Sequence, residues 1–178
     1  MNLVTPSHVV AQILEALPIA IERGLCVPLV YNTGSYDSVD ALRLLDGVVD
    51  VYMPDTKVFS ETHAADLFHD ASDYPQRARA AIREMHRQVG DLVIDSDGVA
   101  RRGVLVRHLV MPGGVAGTDE WMRFLAAEVS PETYLNIMDQ YHPAADARRH
   151  GVIGRFPHTE EVSEAFAAAK RAGLTRFD

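Results

Sequence analysis

Five short apolar runs, each ending in a polar cluster, recur along this chain at the spacing of strand–helix units. They are Asn2–Pro6, Pro28–Asp37, Val49–Lys57, Val104–Gly114 and Tyr134–His142. A continuous apolar run such as Pro28 to Tyr31 suits a strand buried on both faces of a parallel sheet. Parallel strands point their carboxyl ends the same way, so the polar clusters gather on one rim, where barrels and open α/β sheets keep their chemistry. The first unit begins at residue 2, so the sequence reads as the later part of a larger barrel.

Helices fill the intervals. A first helix is expected from Thr5–Pro6, with Thr5 as cap and Pro6 at the first helical position; Val9, Val10, Ile13, Leu14 and Leu17 recur at helical spacing and Gly24 stops it. A short helix follows near Ser38–Leu45 and a small one near Glu61–Phe68. Asp73-Tyr-Pro-Gln76 reads as cap, proline and capping-box acceptor for a helix whose buried stripe is Ile82, Met85 and Val89, ended by Gly90. Asp97-Gly98 between two extended stretches signals a β-ribbon leading into Val104–Met111. Thr118–Val129, with Trp121, Met122 and Leu125 inward, and Thr159–Ala172, closed by Gly173, complete the set.

The fold class expected is α/β: a partial, TIM-like barrel of about five parallel strands plus a β-ribbon, one domain over residues 1–178. At 178 residues and 47 % apolar composition the chain has material for a real core, yet it is shorter than the roughly 250 residues of a complete eight-unit barrel. The formal charge of −8 disfavours nucleic acid as a partner. No run nears the roughly 18 apolar residues of a membrane span. The single cysteine, Cys26, excludes a disulfide within the chain and makes the cytoplasm the expected compartment; before a strand, it reads as a small core residue.

The rim inventory combines Thr5, Asn32, Thr33, Ser35, Asp37, Asp55, Lys57, Arg107, His108, Asp139, Gln140 and the pair Gly113-Gly114. It suits a polar small molecule carrying a carboxylate, an amine and ribose hydroxyls. Of the eight histidines, His8, His63, His69, His86 and His158 fall in helical or loop contexts, whereas His108 and His142 lie at strand ends. No H-E-x-x-H or C-x-x-C spacing marks a metal site, and no P-loop or G-x-S-x-G is present. Asp55 with Lys57, two residues apart at a strand end, share a face and suit either an ion pair or acid–base work. A hydrolase or aldolase-type barrel would use Asp55, Lys57 and His108.

The blocks NLVTPSHVV, PLVYNTGSYDS, VDVYMPDTK, YPQRARAAIREMHRQVGDLV, RRGVLVRHLVMPGG and YLNIMDQYHP together resemble the pyruvate formate-lyase activating enzyme-related group of radical S-adenosylmethionine (SAM) proteins. The resemblance covers almost the whole chain. It implies a (βα)6 partial barrel whose first strand leads into a C-x-x-x-C-x-x-C loop holding a [4Fe–4S] cluster. The cluster binds SAM by its amino and carboxylate groups and cleaves it reductively to a 5′-deoxyadenosyl radical, which abstracts hydrogen from a glycyl residue of a partner protein or from a small molecule. The strands here resemble the family's second to sixth; the first strand and its cluster loop are missing. One cysteine cannot supply three thiolates, so no cluster and no radical generation are expected on this chain.

The resemblance also implies ligand contacts. Thr5 stands where relatives hold the SAM amino group with a glycine-rich motif absent here. Asn32 and Thr33 match a pair near the SAM carboxylate; Met53, Asp55 and Lys57 match the next strand's ligand-facing residues, with a D-x-K pattern. Arg107 and His108 match the following strand, and Gln140 to His142 the adenine-side loop. No catalytic residue and no metal ligand is assigned. The competing expectation is a non-catalytic half-barrel that binds a ligand or a partner protein. In either case Asn2–Pro6 would be an exposed parallel edge that pairs with a second copy or is covered by the chain's own tail.

Overall fold

The computed structural model describes residues 1–68 and 70–177, so His69 lies outside the described residues. The fold is α/β, built on one mostly parallel sheet that does not close. Five parallel strands follow one another in space: β1 (Asn2–Val4), β2 (Val30–Thr33), β3 (Val51–Thr56), β5 (Ala100–Leu109) and β6 (Tyr134–Met138). A two-residue strand, β4 (Val93–Ile94), pairs antiparallel with the start of β5. The connecting turn is the expected Asp-Gly ribbon: the Asp95 N–H donates to the Val99 carbonyl at 3.0 Å, and Gly98 takes a φ of 78°.

Helices α1 (Val10–Glu22), α2 (Val39–Arg43), α3 (Glu61–Leu67), α4 (Tyr74–Val89) and α5 (Thr118–Phe124) connect the parallel strands, and α6 (Thr159–Arg171) follows the last of them. A single core unites the helices with one face of the sheet. Tyr31, Tyr52, Val104, Val106, Leu135 and Ile137 supply the sheet side, and Ile82, Met85, Trp121, Met122, Ala165 and Ala168 the helix side. The alternation is that of strands, whose successive side chains take opposite faces. Each fully buried aliphatic or aromatic side chain contributes about 1.5–3 kcal/mol relative to exposure, so this layer dominates stability.

Local structure departs from the sequence reading in several places. Thr5 does not cap the first helix: its φ of 51° is left-handed, it makes no side-chain cap bond, and Pro6–His8 form a 3-10 turn ahead of α1. Within the run Val49–Lys57 the third strand occupies Val51–Thr56, because pairing with β2 starts at Val51. Asp73 does not close a capping box; its carboxylate instead accepts from the Tyr36 hydroxyl at 2.6 Å and Arg77 Nε at 2.5 Å, two donors stronger than a backbone amide. The expected helix Thr118–Val129 changes to a π-turn over Leu125–Val129. Cys26 is exposed rather than in the core, since it lies in the loop between α1 and β2.

The two margins of the parallel array differ. At β1, Val30 N–H donates to the Met1 carbonyl and Thr5 N–H to the Asn32 carbonyl. By two-residue alternation the backbone groups of Asn2 and Val4 therefore face away from β2, and both residues are exposed. At β6 the chain's tail covers the margin: Leu135 N–H donates to the Arg176 carbonyl at 2.8 Å, and Leu135 bridges Phe177. No described helix is long and apolar enough to cross a membrane.

Candidate functional site

Residues that alternate with the core positions occupy the opposite face of the sheet, and these are half-buried where the core is sealed. Met53 and Asp55 on β3, Leu105 and Arg107 on β5, and Tyr134, Asn136 and Met138 on β6 all follow this pattern. Toward the carboxyl ends of β2, β3 and β5 the open face carries a charged cluster. Arg107 donates through Nε to Asp55 Oδ1 at 2.8 Å and through Nη2 to Asn32 Oδ1 at 2.8 Å, so one guanidinium ties three adjacent strands. Parallel register makes this possible, because Asp55 pairs directly with Arg107 across β3 and β5.

Lys57 completes the cluster, its Nζ 3.7 Å from Asp55 Oδ2. Gly34, just past β2, leaves room for that ammonium: a Cβ there would sit 3.3 Å from Lys57 Nζ. Two cations and one carboxylate give a local charge of opposite sign to the chain as a whole. The side chains of Lys57 and Arg107 keep 35 % and 25 % exposure, enough for either to meet a ligand. The arrangement can hold a carboxylate or phosphate against Lys57 and Arg107 while Asp55 takes an amine.

Of the residues singled out in the sequence, the structure brings Asn32, Asp55, Lys57 and Arg107 together. Met53 stands beside Asn32 in register, half-buried on the same face. Thr5 lies at the end of β1, exposed, with its N–H on the Asn32 carbonyl at 2.8 Å. Gln140 lies past β6, exposed, and its amide touches Met138 Sδ at 3.6 Å.

Thr33 and His108 go to the other face. Thr33 Oγ1 donates to the buried Asp37 at 2.6 Å, which also accepts from the Tyr31 hydroxyl at 2.9 Å. Burial, and then the charge of Asp37, push the Tyr31 phenol up. His108 is wholly enclosed, Nδ1 at 2.9 Å from Thr56 Oγ1 and Nε2 at 2.9 Å from Thr118 Oγ1. Burial lowers its pKa to about 4, so it is a neutral internal imidazole. The hydrolase-type reading needs His108 beside Asp55 and Lys57, and the pleat of β5 sends it the opposite way.

Gly113 and Gly114 also serve packing. The Gly113 N–H donates to Glu161 Oε1 at 2.7 Å, and a Cβ there would meet Val152 Cγ1 at 2.3 Å. Gly114 borders a cavity of about 330 Å³ between α5 and α6, on the helix side of the sheet. Sequence reasoning gave no role to Tyr74, and included Ser35 only as a rim hydroxyl. Both bond the Asp55 carbonyl, Ser35 Oγ at 2.6 Å and the Tyr74 hydroxyl at 3.1 Å. Tyr74 sits in the first turn of α4, some distance along the chain, and nothing local signals that contact.

A [4Fe–4S] cluster does not fit these residues. Among the described residues no three His, Cys, Asp or Glu side chains are grouped to hold a metal ion. Cys26 precedes β2 and so lies at the opposite end of the sheet from the charged cluster. The donor set of Asn32, Asp55, Lys57 and Arg107 offers cations for a carboxylate or phosphate and an anion for an amine.

The chain is similar to an uncharacterized protein of Methanocaldococcus jannaschii, 28 % identical over 149 residues, which is 83 % of this chain and 39 % of the archaeal protein. The chain thus spans well under half the length of that relative. No family model matches the chain. No solved structure matches it.

Proposed function

We propose that this chain is part of a radical SAM, activating-enzyme-like partial barrel, with the open face of the sheet as the barrel interior and the Asn32–Asp55–Lys57–Arg107 cluster as the seat of SAM's amino-acid end. One observation carries the reading. These four polar residues stand toward the carboxyl ends of three adjacent parallel strands, on the face opposite the core, where barrel folds place ligands. The similarity to a longer archaeal protein accords with a larger whole.

In this reading Arg107 and Lys57 meet the ligand carboxylate, Asp55 and Asn32 orient its amine, and Met53 and Met138 give the adenosyl portion an apolar floor. Thr5 and Gln140 flank the cluster at neighbouring strand ends. Without cluster thiolates, reductive SAM cleavage is not assigned to these residues. The chain by itself is then a ligand-binding half-barrel, and this second reading is favoured by its solitary, exposed Cys26. The substrate of the whole protein is a partner protein or a small molecule.

Calorimetric titration of the chain with SAM tests the proposal. Saturable micromolar binding is expected, weakened at least about tenfold, some 1.4 kcal/mol, by Arg107→Leu or Lys57→Met. No binding at millimolar SAM would overturn it. A stoichiometric cluster after anaerobic iron–sulfide reconstitution would overturn the claim that thiolates are lacking.

A further inference from the structure

The ligand-facing end of β3 is flanked by β5 but extends past β2 on its other side. Pairing between β2 and β3 ends at Thr33 and Pro54, yet Asp55 and Lys57 lie beyond that point. Val51 N–H bonds across to Leu29 on the β2 side, and two-residue alternation then aims the Asp55 carbonyl to the same side. There β2 has already turned away. With β5 still paired at Thr56, an unpaired Asp55 carbonyl would leave this end of β3 held from one side only.

Two hydroxyls take the place of the missing strand. Ser35 Oγ donates to the Asp55 carbonyl at 2.6 Å and the Tyr74 hydroxyl donates to it at 3.1 Å. Ser35 reaches the carbonyl only from a φ of 67°, a left-handed conformation that L residues rarely adopt, and its N–H is pinned by Thr33 Oγ1 at 3.1 Å. Tyr74 is 4 % exposed, its ring held edge-on by Phe68 at 5.1 Å between centroids. Burial, and then the Asp55 charge, push its phenol up, so it stays a donor. A strained serine and a buried tyrosine, from separate elements, thus converge on one carbonyl.

We propose that Ser35 and Tyr74 are positioning residues for the ligand site: standing in for a strand, they hold the end of β3 straight, which keeps Asp55 on Arg107 and Lys57 above Gly34. The assignment rests on the ligand reading of the cluster given above. A merely structural pair would alter stability and leave the cluster geometry alone.

The test compares Tyr74→Phe and Ser35→Gly with Tyr52→Phe, a control that loses another buried phenol bond, to Gln88 Oε1 at 2.6 Å, away from Asp55. The first readout needs no ligand: the ¹⁵N NMR signal of the Arg107 Nε–H group and its hydrogen-exchange rate. Exchange should quicken about tenfold in Tyr74→Phe and in Ser35→Gly and stay unchanged in Tyr52→Phe. Ser35→Gly relieves the positive φ, so its melting temperature should hold while Arg107 protection falls, a combination that a purely structural role does not give. The second readout is SAM affinity, expected to fall about fivefold in both variants and not in the control.

Wild-type protein that binds no SAM would end the ligand reading, with the Arg107 signal still deciding the positioning. Unchanged Arg107 exchange in both variants would overturn the positioning, whether or not SAM binds. Should Ser35→Gly fail to fold, Tyr74→Phe carries the test alone.

Discussion

Arg107 and His108 are neighbours on one strand, and they live in opposite worlds. Arg107 faces the open side, keeps a quarter of its surface and pairs with Asp55 and Asn32. His108 points into the helix layer, wholly enclosed and neutral between two threonine hydroxyls. The same pleat that seals one residue presents the next. On the covered face, packing volume decides what a position tolerates; on the open face, charge and hydrogen-bond geometry decide it.

The sharpest test of that contrast is truncation. Trp121→Ala, which removes a wholly buried ring packed at 5.0 Å from Phe59, is expected to cost about 3–5 kcal/mol in urea denaturation. A loss below about 1 kcal/mol would mean that the helix layer is not the stabilising one.

Acid should act on the covered face next. His108 has a pKa of about 4 folded against 6.5 unfolded, so the unfolded chain takes up the proton first as pH falls. Stability tied to the neutral imidazole is complete above pH 6.5 and is lost on going down to pH 4, by on the order of 3 kcal/mol. Carboxylates titrate in the same range, so urea midpoints of wild type and His108→Gln at pH 7 and 4.5 isolate the effect. The variant should lose distinctly less; equal losses would place His108 in contact with water.

The smallest effect belongs to the open face. Met138→Ala, at a half-buried position there, is expected to cost below about 1 kcal/mol by the same denaturation assay. A core-sized loss would show that something covers this face.

Much of the architecture is legible in the chain because its signals are local. Apolar runs with polar ends give all five parallel strands, Asp97-Gly98 gives the ribbon, and Ile82, Met85 and Val89 give the buried stripe of α4. Gly90 and Gly173, at φ of 72° and 90°, end α4 and α6 as expected. What fails is decided by distant partners. Asp73 has the local credentials of a cap, but Tyr36 and Arg77 claim its carboxylate. Thr5 looks like a cap until the chain must turn left-handed to leave β1.

The cluster was legible for a similar reason. Asn32, Asp55, Lys57 and Arg107 are all polar residues at or just past strand ends, and register sets Asp55 directly beside Arg107. Period two, applied to Asp55 and Lys57 in the sequence, also separates Arg107 from His108 and Asn32 from Thr33. The hydroxyls of Ser35 and Tyr74 on a backbone carbonyl leave no trace in composition or spacing.

The tail's cover of β6 has a consequence for how the sheet meets other chains. A growing fibril needs two adhesive borders per molecule, and here Arg176 and Phe177 already occupy one of them. The tail thus sits where a further strand would add to β6, and this border is closed to strand addition by another chain.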